Sequence, residues 1–187
     1  KKQNLHKDYI AAVNRLHALG IMINGSFVFG LDDDDKDVFK RTVVWATNHS
    51  ITTSTFHILT PYPGTALFKD LEKQGRITTR NWDMYDTRNV VYETRSLLPH
   101  ELKEGYHWAY REFYKWSNIF KASLNHDSHK HKLKHLLYSG GWKKFEPLWN
   151  FVIKSRNLNQ MLPLLESLLS KVKYDKAVPT EEKARTE

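Results

Sequence analysis

The spacing of apolar residues changes within the first 30 residues, and each pattern predicts an element. Over residues 8–19 the apolar side chains recur at three- and four-residue intervals, as on one face of a helix, and Gly20 can end that helix. Over residues 21–30, IMINGSFVFG, bulky apolar residues alternate with smaller and more polar ones. Such alternation is typical of a strand whose two faces differ. We therefore predict a helix followed by a strand.

The same two patterns return further along the chain. Residues 35–48 have helical spacing, residues 51–60 are rich in β-branched and aromatic residues, and a third helix spans about residues 66–74. The order helix, strand, helix, strand, helix favours parallel strands joined by right-handed crossovers. Two strands cannot complete such a sheet, so we predict an α/β fold that forms part of a larger sheet or barrel.

The chain changes character after Arg76. We expect a linker with one short strand over residues 89–94, a long aromatic helix over residues 99–123 and a short helix that ends at the glycine pair 140–141. A pair of helices follows, the first with Pro147 in its opening turn.

The predicted domains follow these changes. Residues 1–80 form the α/β part, residues 81–172 form a mostly α-helical C-terminal domain, and residues 173–187 form a disordered tail.

Charge and composition narrow the class of protein. The 187 residues carry a net charge of +8 and contain no cysteine, which excludes disulfides and thiolate metal ligands from this chain. No stretch has the length of a membrane-spanning helix, and no signal-peptide pattern is present. We therefore expect a cytoplasmic protein. Residues 115–172 hold ten Lys or Arg against three Asp or Glu. This excess permits an anionic partner, such as a nucleic acid, a phospholipid surface or another domain, and does not choose among them.

Four consecutive aspartates, Asp32 to Asp35, follow the first strand. They could bind a metal ion, act as an acid and base pair, or cap the next helix. Adjacent carboxylates in one run diverge, and the spaced acids of a calcium loop are absent. We therefore favour the interpretation that they start the helix, where carboxylates complement the helix dipole.

Ligands of parallel sheets bind at the carboxyl ends of the strands. Here those ends carry Gly30 and the turn PYPGT at residues 61–65. They could line a small-molecule pocket or be ordinary loops, and the residues do not decide between these. His57 could bind substrate or transfer a proton from the inner face of the second strand. A hydrogen-bonded core histidine is the more common case.

Four histidines, His126, His129, His131 and His135, lie close together in the sequence. Zinc could use the pair spaced four residues apart on a helix. Lysines alternate with these histidines and would repel a cation, so we favour a solvated basic helix.

Four stretches, in their order and spacing, resemble the C-terminal half of radical S-adenosylmethionine enzymes: NGSFVFGLDDDD, FHILTPYPGTALF, NWDMYDTRNVVYE and LKEGYHWAYREFY. The resemblance is to the subgroup with an N-terminal cobalamin-binding domain and a C-terminal domain of unassigned function, which includes hopanoid-modifying enzymes. It implies a partial TIM-type barrel in which residues 21–30 and 51–60 are the fifth and sixth strands, followed by a mostly α-helical region.

The resemblance also implies a cofactor site. In this family the ends of these two strands help to hold the adenine of S-adenosylmethionine, which points to Val28, Gly30, Leu59 and Thr60 here. His57 is the residue that we assign to substrate binding. The family's fifth-strand motif has a glycine where this chain has Ser26, a departure that affects one of the expected contacts.

The family's iron–sulfur cluster is held by a CxxxCxxC loop, and this chain has no cysteine. We therefore expect the iron–sulfur cluster and cobalamin only in a full-length parent, with no metal ligand and no catalytic residue in this chain. The chain is expected to be catalytically incomplete and to need the missing N-terminal half of the enzyme or an equivalent chain as its partner.

The parent reaction implied by the resemblance is radical methylation or rearrangement of an unactivated carbon in a small-molecule or lipid substrate. Contact with an anionic membrane surface is compatible with the basic C-terminal region, whereas we do not expect a nucleic acid. The alternative is a non-catalytic basic interaction module that uses Lys115 to Val172 to bind nucleic acid or an anionic membrane.

Overall fold

The computed structural model describes the backbone of residues 6–154 and the side chains of residues 9–143. The chain divides into two compact units, Lys1–Lys144 and Phe145–Glu187. All side-chain contacts given below belong to the first unit. The division of the chain at residue 80 stays a prediction.

The described elements alternate helix and strand at first and are then helical. In chain order they are α1 (His6–Ala18), β1 (Asn24–Phe29), α2 (Val38–Asn48), β2 (Thr53–Ile58), α3 (Ala66–Lys73), a 3₁₀ turn (Trp82–Met84), α4 (Pro99–Phe113), α5 (Trp116–Leu124) and α6 (His129–Lys154). Within the described residues β1 and β2 form one parallel two-stranded sheet. The predicted α/β class is confirmed, and the sheet is not a closed barrel.

One face of this sheet carries the core. Phe27 and Phe29 of β1 and Phe56 of β2 stack, with the Phe29 and Phe56 ring centroids 5.6 Å apart. Helices α2 and α4 cover this face. They approach closely because Gly105 of α4 lacks a side chain: a Cβ there would lie 2.2 Å from the ring of Phe39. The predicted difference between the two faces of β1 is therefore confirmed.

Helix α4 also closes the outer edge of β2. The hydroxyl of Tyr114, directly after α4, accepts from the Ser54 N–H and donates to the Ser54 carbonyl, both at 3.0 Å. One helical turn earlier, the Tyr110 hydroxyl bonds the N–H and carbonyl of Phe56 in the same way, at 3.1 and 3.3 Å. Side chains thus take the place of a further strand.

A second apolar cluster lies between α3 and the segment that follows it. Its buried members are Phe68, Leu71, Tyr85, Val91 and Tyr92. The strand predicted over residues 89–94 is wrong, because this segment forms a single antiparallel bridge between Tyr92 and Ile77.

The predicted helix over residues 99–123 is two helices. The chain leaves helical geometry at Lys115, whose backbone is extended. Asn118 stabilises the break because its side-chain amide donates to the carbonyl of Glu112 at 2.7 Å, which satisfies one of the last carbonyls of α4.

The predicted end of a helix at the glycine pair 140–141 is also wrong, since α6 continues to Lys154 and includes Pro147. Gly140 is present for packing, because a Cβ there would lie 3.1 Å from the Trp116 ring of α5. The last predicted helix and the predicted tail lie outside the described residues.

Candidate functional site

The face of the sheet opposite α2 and α4 is open. Val28 of β1 and His57 of β2 are neighbours in the strand register, and Val28 is 45% exposed. This open face is made of uncharged side chains: Asn24, Ser26, Val28, Thr53, Thr55 and His57. The alternation of side chains along β2 therefore places His57 on this open face, as predicted. His57 is part-buried and does not belong to the core.

Gly30, directly after β1, is held by contacts within the chain. Its N–H donates to the Asp34 carboxylate at 2.8 Å, and its carbonyl accepts from the Tyr92 hydroxyl. Its φ is +98°, a conformation that favours glycine, and a Cβ would lie 2.9 Å from the Tyr92 oxygen and 3.0 Å from a Leu102 methyl carbon. The missing side chain makes room for Tyr92 and Leu102.

Leu59 and Thr60, directly after β2, are likewise in contact with the chain itself. The Leu59 N–H donates to the Phe29 carbonyl at 2.8 Å, and its side chain packs on the second apolar cluster. The buried Thr60 hydroxyl donates to the Ile58 carbonyl at 3.0 Å. Leu59 thus lies just beyond the end of β2, outside the alternation of side chains that places His57 on the open face.

The structure brings the predicted cofactor residues to the same end of the sheet. Among Val28, Gly30, Leu59 and Thr60, the side chain that stands open is that of Val28. Ser26, at the position of the family's glycine, is exposed on the same face. The assignment of these residues to a cofactor stays a prediction.

Thr87, which the sequence did not single out, lies beside His57, and the charge of Arg88 acts on the same ring. The Nδ1 atom of His57 is 3.1 Å from the Thr87 hydroxyl oxygen. Burial and the positive charge of Arg88 lower the pKa of His57, so the imidazole is neutral at pH 7. Thr87 and Arg88 come from the segment after the 3₁₀ turn, and no motif in the sequence marks them.

The loop at residues 86–89 is held by hydrogen bonds within the loop, to α4 and to the end of β2. Asp86 accepts from the N–H groups of Arg88 and Asn89 at 2.9 and 3.0 Å. Lys103 of α4 donates to the Arg88 carbonyl at 2.6 Å, and the Ile58 N–H donates to the Thr87 carbonyl at 2.7 Å. Thr87 has a φ of +63°, which costs a β-branched residue about 1–3 kcal/mol.

Asp32 and Asp34 do not start a helix, which corrects the sequence interpretation. Helix α2 begins at Val38, and its N-cap, Asp37, makes no side-chain capping bond. Asp34 is buried and accepts from Gly30 and Leu31, so it holds the turn after β1.

Two other aspartates of the run, Asp32 and Asp35, make ion pairs with arginines. Asp32 binds Arg76 and, at 3.2 Å, Arg95, and the hydrogen bond from Arg76 lowers the pKa of Asp32. Asp35 pairs with Arg41 at 2.8 Å and accepts from the Asp37 N–H at 3.0 Å, which orders the residues just before α2.

The histidine cluster is also different from the prediction. His126 and His135 are buried, and their Nε2 and Nδ1 atoms are 3.1 Å apart, so a solvated basic helix is wrong for these two residues. Burial lowers the pKa of His135 to about 4. His17 of α1 packs edge-on against His126, with ring centroids 4.9 Å apart, beside a cavity of about 380 Å³. The spacing of nearby residues does not predict that His17 of α1 joins this cluster.

Three further observations concern the described residues. In residues 9–143 no group of three or more His, Cys, Asp or Glu side chains is placed to hold a metal ion. Over the same part of the chain no helix has both the length and the apolar character needed to cross a membrane. A larger groove of about 570 Å³ lies between α2 and α4, on the covered side of the sheet and away from His57.

No model of a known protein family matches the chain. Over 121 residues the chain is 36% identical to the bacteriochlorophyllide d C-12(1)-methyltransferase of Chlorobaculum tepidum, a match that covers 65% of this chain and 26% of that protein. The C-8(2)-methyltransferase for bacteriochlorophyllide d of the same organism is 26% identical over 141 residues, covering 75% of this chain and 31% of that protein.

A third relative is the anaerobic magnesium-protoporphyrin IX monomethyl ester cyclase of Cereibacter sphaeroides, 26% identical over 109 residues, with 58% of this chain and 18% of that protein covered. The chain therefore spans less than a third of the length of each of these relatives. It is an α/β chain that is similar to methyltransferases over most of its own length.

Proposed function

We propose that this chain is the C-terminal part of the catalytic barrel of a radical S-adenosylmethionine methyltransferase, together with its helical extension. The similarity to two methyltransferases and a cyclase supports an enzyme over a non-catalytic basic module. The parent reaction that we propose is methylation of an unactivated carbon. Because the relatives act on different positions and in different reactions, they support the class of chemistry rather than one substrate.

The observation that carries this proposal is the asymmetry of the small sheet. The outer edge of β2 is occupied by Tyr110, Tyr114 and the carbonyl of Thr87, so the sheet cannot grow on that side. Within the described residues β1 pairs only with β2, and its other edge is open. A sheet that ends at β2 and continues beyond β1 is what the last strands of an open, partial barrel require.

The open face suits one wall of a cofactor and substrate site. We propose that Val28 and the turns at Gly30 and at Leu59–Thr60 contact the adenine of S-adenosylmethionine, with His57 nearer the substrate. Since Gly30, Leu59 and Thr60 already bond within the chain, they would contribute shape, and the exposed side chain of Val28 would contribute apolar surface. When bound, the cofactor supplies the radical and the methyl group. The iron–sulfur cluster and cobalamin would be held by the rest of the parent, because this chain contains no cysteine.

The test is to join the chain to the sequence that precedes it in its gene and to purify the product without oxygen. We expect an iron–sulfur absorbance and the formation of 5′-deoxyadenosine from S-adenosylmethionine. The chain without that segment is the control and should show neither. A full-length product that lacks the three-cysteine loop, or that binds a cluster but forms no 5′-deoxyadenosine, would refute the proposal.

We also propose that helices α5 and α6 lie on an anionic membrane surface. Among the side chains described up to residue 143, seven large apolar or aromatic ones of this pair are exposed. These residues, the α5–α6 surface, are Trp116, Phe120, Leu124, Leu133, Leu137, Tyr138 and Trp142. Leu124 and Leu137 are the most exposed of the seven, at 67% and 66%. Groups of exposed apolar side chains are typical of surfaces that bind a partner or a membrane.

Charge complementarity supports a lipid surface as the occupant. Between residues 115 and 143 the sequence has six lysines and a single acidic residue, Asp127. Lysines that surround exposed tryptophan, tyrosine and leucine are typical of helices that lie in the headgroup region of anionic bilayers. Lys143 lies 5.1 Å from the centroid of the Trp116 ring, which links the two types of group.

The experiment is sedimentation of the chain with vesicles. We expect binding to phosphatidylcholine vesicles that contain phosphatidylglycerol, weaker binding to phosphatidylcholine vesicles, and a loss of binding in Leu124→Ser and Leu137→Ser. Val44→Ser, at an exposed apolar position of α2, is the matched control and should bind as the unchanged chain does. Salt-sensitive binding to RNA or DNA without vesicle binding would refute the membrane proposal.

A further inference from the structure

Thr87 contacts the end of β2 through both its backbone and its side chain. Its carbonyl accepts from the Ile58 N–H at 2.7 Å, and its hydroxyl oxygen lies 3.1 Å from Nδ1 of His57, the residue before Ile58. The backbone of Thr87 has a φ of +63°, a value that β-branched residues seldom adopt. Such conformations persist where the surrounding structure fixes them, often at binding sites. One residue therefore fixes both the backbone and the imidazole ring at this end of the sheet.

The residues around Thr87 keep the loop in this conformation. The Asp86 carboxylate accepts from the N–H groups of Arg88 and Asn89 at 2.9 and 3.0 Å. Lys103 of α4 donates to the Arg88 carbonyl at 2.6 Å and to the Asn89 side-chain oxygen at 2.9 Å. None of these bonds involves the imidazole ring. The loop therefore places the Thr87 hydroxyl, and the hydroxyl orients the ring.

The direction of the hydrogen bond between Thr87 and His57 follows from which atoms can use a proton. A hydroxyl both donates and accepts, whereas a neutral imidazole has one N–H and one acceptor nitrogen. Among residues 9–143 the Thr87 hydroxyl has no acceptor other than Nδ1 of His57, so within the protein its proton is used only if it donates to Nδ1. Nε2 then carries the ring proton. Burial and, as a smaller cause, the charge of Arg88 lower the pKa of His57, which favours the neutral ring.

The Nε2 edge of His57 is the part of the ring that is left for a ligand. Nε2 forms no hydrogen bond with any described residue, and it is not one of the buried side-chain atoms that lack a partner, so it is accessible. The alternation along β2 places the ring on the open face, whose other five side chains are uncharged. A charged group of a ligand would lose its hydration there without a compensating charge, whereas an uncharged acceptor oxygen needs one donor.

We infer that the Nε2–H group of His57 donates a hydrogen bond to an uncharged carbonyl oxygen of the substrate, and that Thr87 holds the ring in the tautomer that does so. The inference rests on the proposed function, since that function assigns the open face to the substrate. His57 is the specificity-determining residue, because a substrate without an acceptor oxygen would leave the N–H unpaired. Thr87 is a positioning residue that acts through His57.

The first test is the tautomer of His57, read from the nitrogen-15 resonances of the ring at an alkaline pH at which it is neutral. We expect the proton on Nε2 in the unchanged chain. Thr87→Val removes the hydroxyl at similar volume and should shift the ratio of the tautomers towards Nδ1–H by about fivefold, the effect of one neutral hydrogen bond. Thr87→Ser keeps the hydroxyl and should keep the tautomer. Thr42→Val on α2 is the matched control and should leave the ring unchanged.

The second test uses cyclopentanone as the carbonyl probe, with pyrrolidinium, a ring of the same size without an acceptor, as its control. Cyclopentanone should shift the Nε2 signal of His57, and the shift should be smaller in Thr87→Val. An equal shift with pyrrolidinium, no shift with cyclopentanone, or an Nδ1–H tautomer in the unchanged chain would overturn the inference. A larger shift with acetate than with cyclopentanone would overturn the assignment to an uncharged carbonyl.

The two proposals can fail separately. Formation of 5′-deoxyadenosine by the joined protein tests the proposed function and does not depend on the tautomer of His57. If that product forms while the proton of His57 is on Nδ1, the function stands and the hydrogen-bond donor is refuted. If the tautomer and the response to cyclopentanone are as expected but no 5′-deoxyadenosine forms, the donor site stands without the proposed reaction.

Discussion

Gly30, just after β1, is required both by its backbone conformation and by the side chains that pack against it. Its φ is +98°, and the space of a Cβ is filled by Tyr92 and Leu102. We expect Gly30→Ala to lower the free energy of unfolding by about 3 kcal/mol, because left-handed strain and overlap add. Urea unfolding measures this loss.

The control for Gly30 is Gly64. Its φ is +86°, but no atom lies within 4 Å of a Cβ there, so Gly64→Ala keeps the backbone strain without the overlap. We expect a loss of about 1 kcal/mol for this variant. Equal losses at the two positions would contradict the role assigned to Tyr92 and Leu102.

His135 makes stability depend on pH. It is 1% exposed, and burial lowers its pKa from 6.5 to about 4, with the neighbouring His126 and His17 as smaller causes. The unfolded chain therefore binds a proton more readily than the folded chain between these values. The contribution of neutral His135 to the free energy of unfolding is therefore fully present above pH 6.5. It is lost as the pH drops towards 4, by about 3 kcal/mol in total.

Urea unfolding at a series of pH values measures this loss. In His135→Gln, which keeps a polar group beside His126, the fall between pH 6.5 and 4 should be smaller. His100→Gln, at an exposed histidine of α4, should leave the pH dependence as it is. The same pH dependence in all three proteins would show that His135 is not the group responsible.

At the scale of elements, α4 takes the place of a neighbouring strand. We expect Tyr114→Phe to leave the buried N–H and carbonyl of Ser54 without their hydroxyl partner, at a cost of about 2 kcal/mol. Hydrogen exchange at the Ser54 amide should become faster. Tyr138→Phe, which changes an exposed tyrosine of α6, is the control for the loss of a hydroxyl. Unchanged exchange at Ser54 would argue against edge closure by α4.

At the scale of the whole molecule, the two edges of the sheet should differ in protection. The carbonyls of Ile23 and Phe29 accept from β2, so by alternation the amides of Asn24, Ser26 and Val28 point away from β2. In the chain alone these three amides should exchange faster than those of the outer edge of β2.

Joining the upstream sequence should protect the β1 amides and leave the β2 edge unchanged. Hydrogen exchange read by nuclear magnetic resonance measures both edges in one experiment. Slow exchange at Ser26 in the chain alone, or no gain in protection after joining, would argue against a sheet that continues beyond β1.

The local sequence determined the type and order of the first five elements, because apolar spacing reflects which face of a helix or strand is buried. It also separated the two faces of β1 and placed His57 on the uncovered face. Where the prediction relied on glycine or on acidic runs as local signals, it was wrong: Gly140 lies within α6, and Asp34 holds a turn instead of starting α2.

Only the tertiary structure decided the features that join distant residues. Thr87 reaches His57 from 30 residues away, and Tyr114 reaches Ser54 from 60 residues away. Nothing in the spacing of nearby residues records such pairs, because each depends on how helices and loops pack over the sheet. Composition and periodicity thus gave the α/β class, whereas the closed edge of β2 and the side chains around His57 follow from packing.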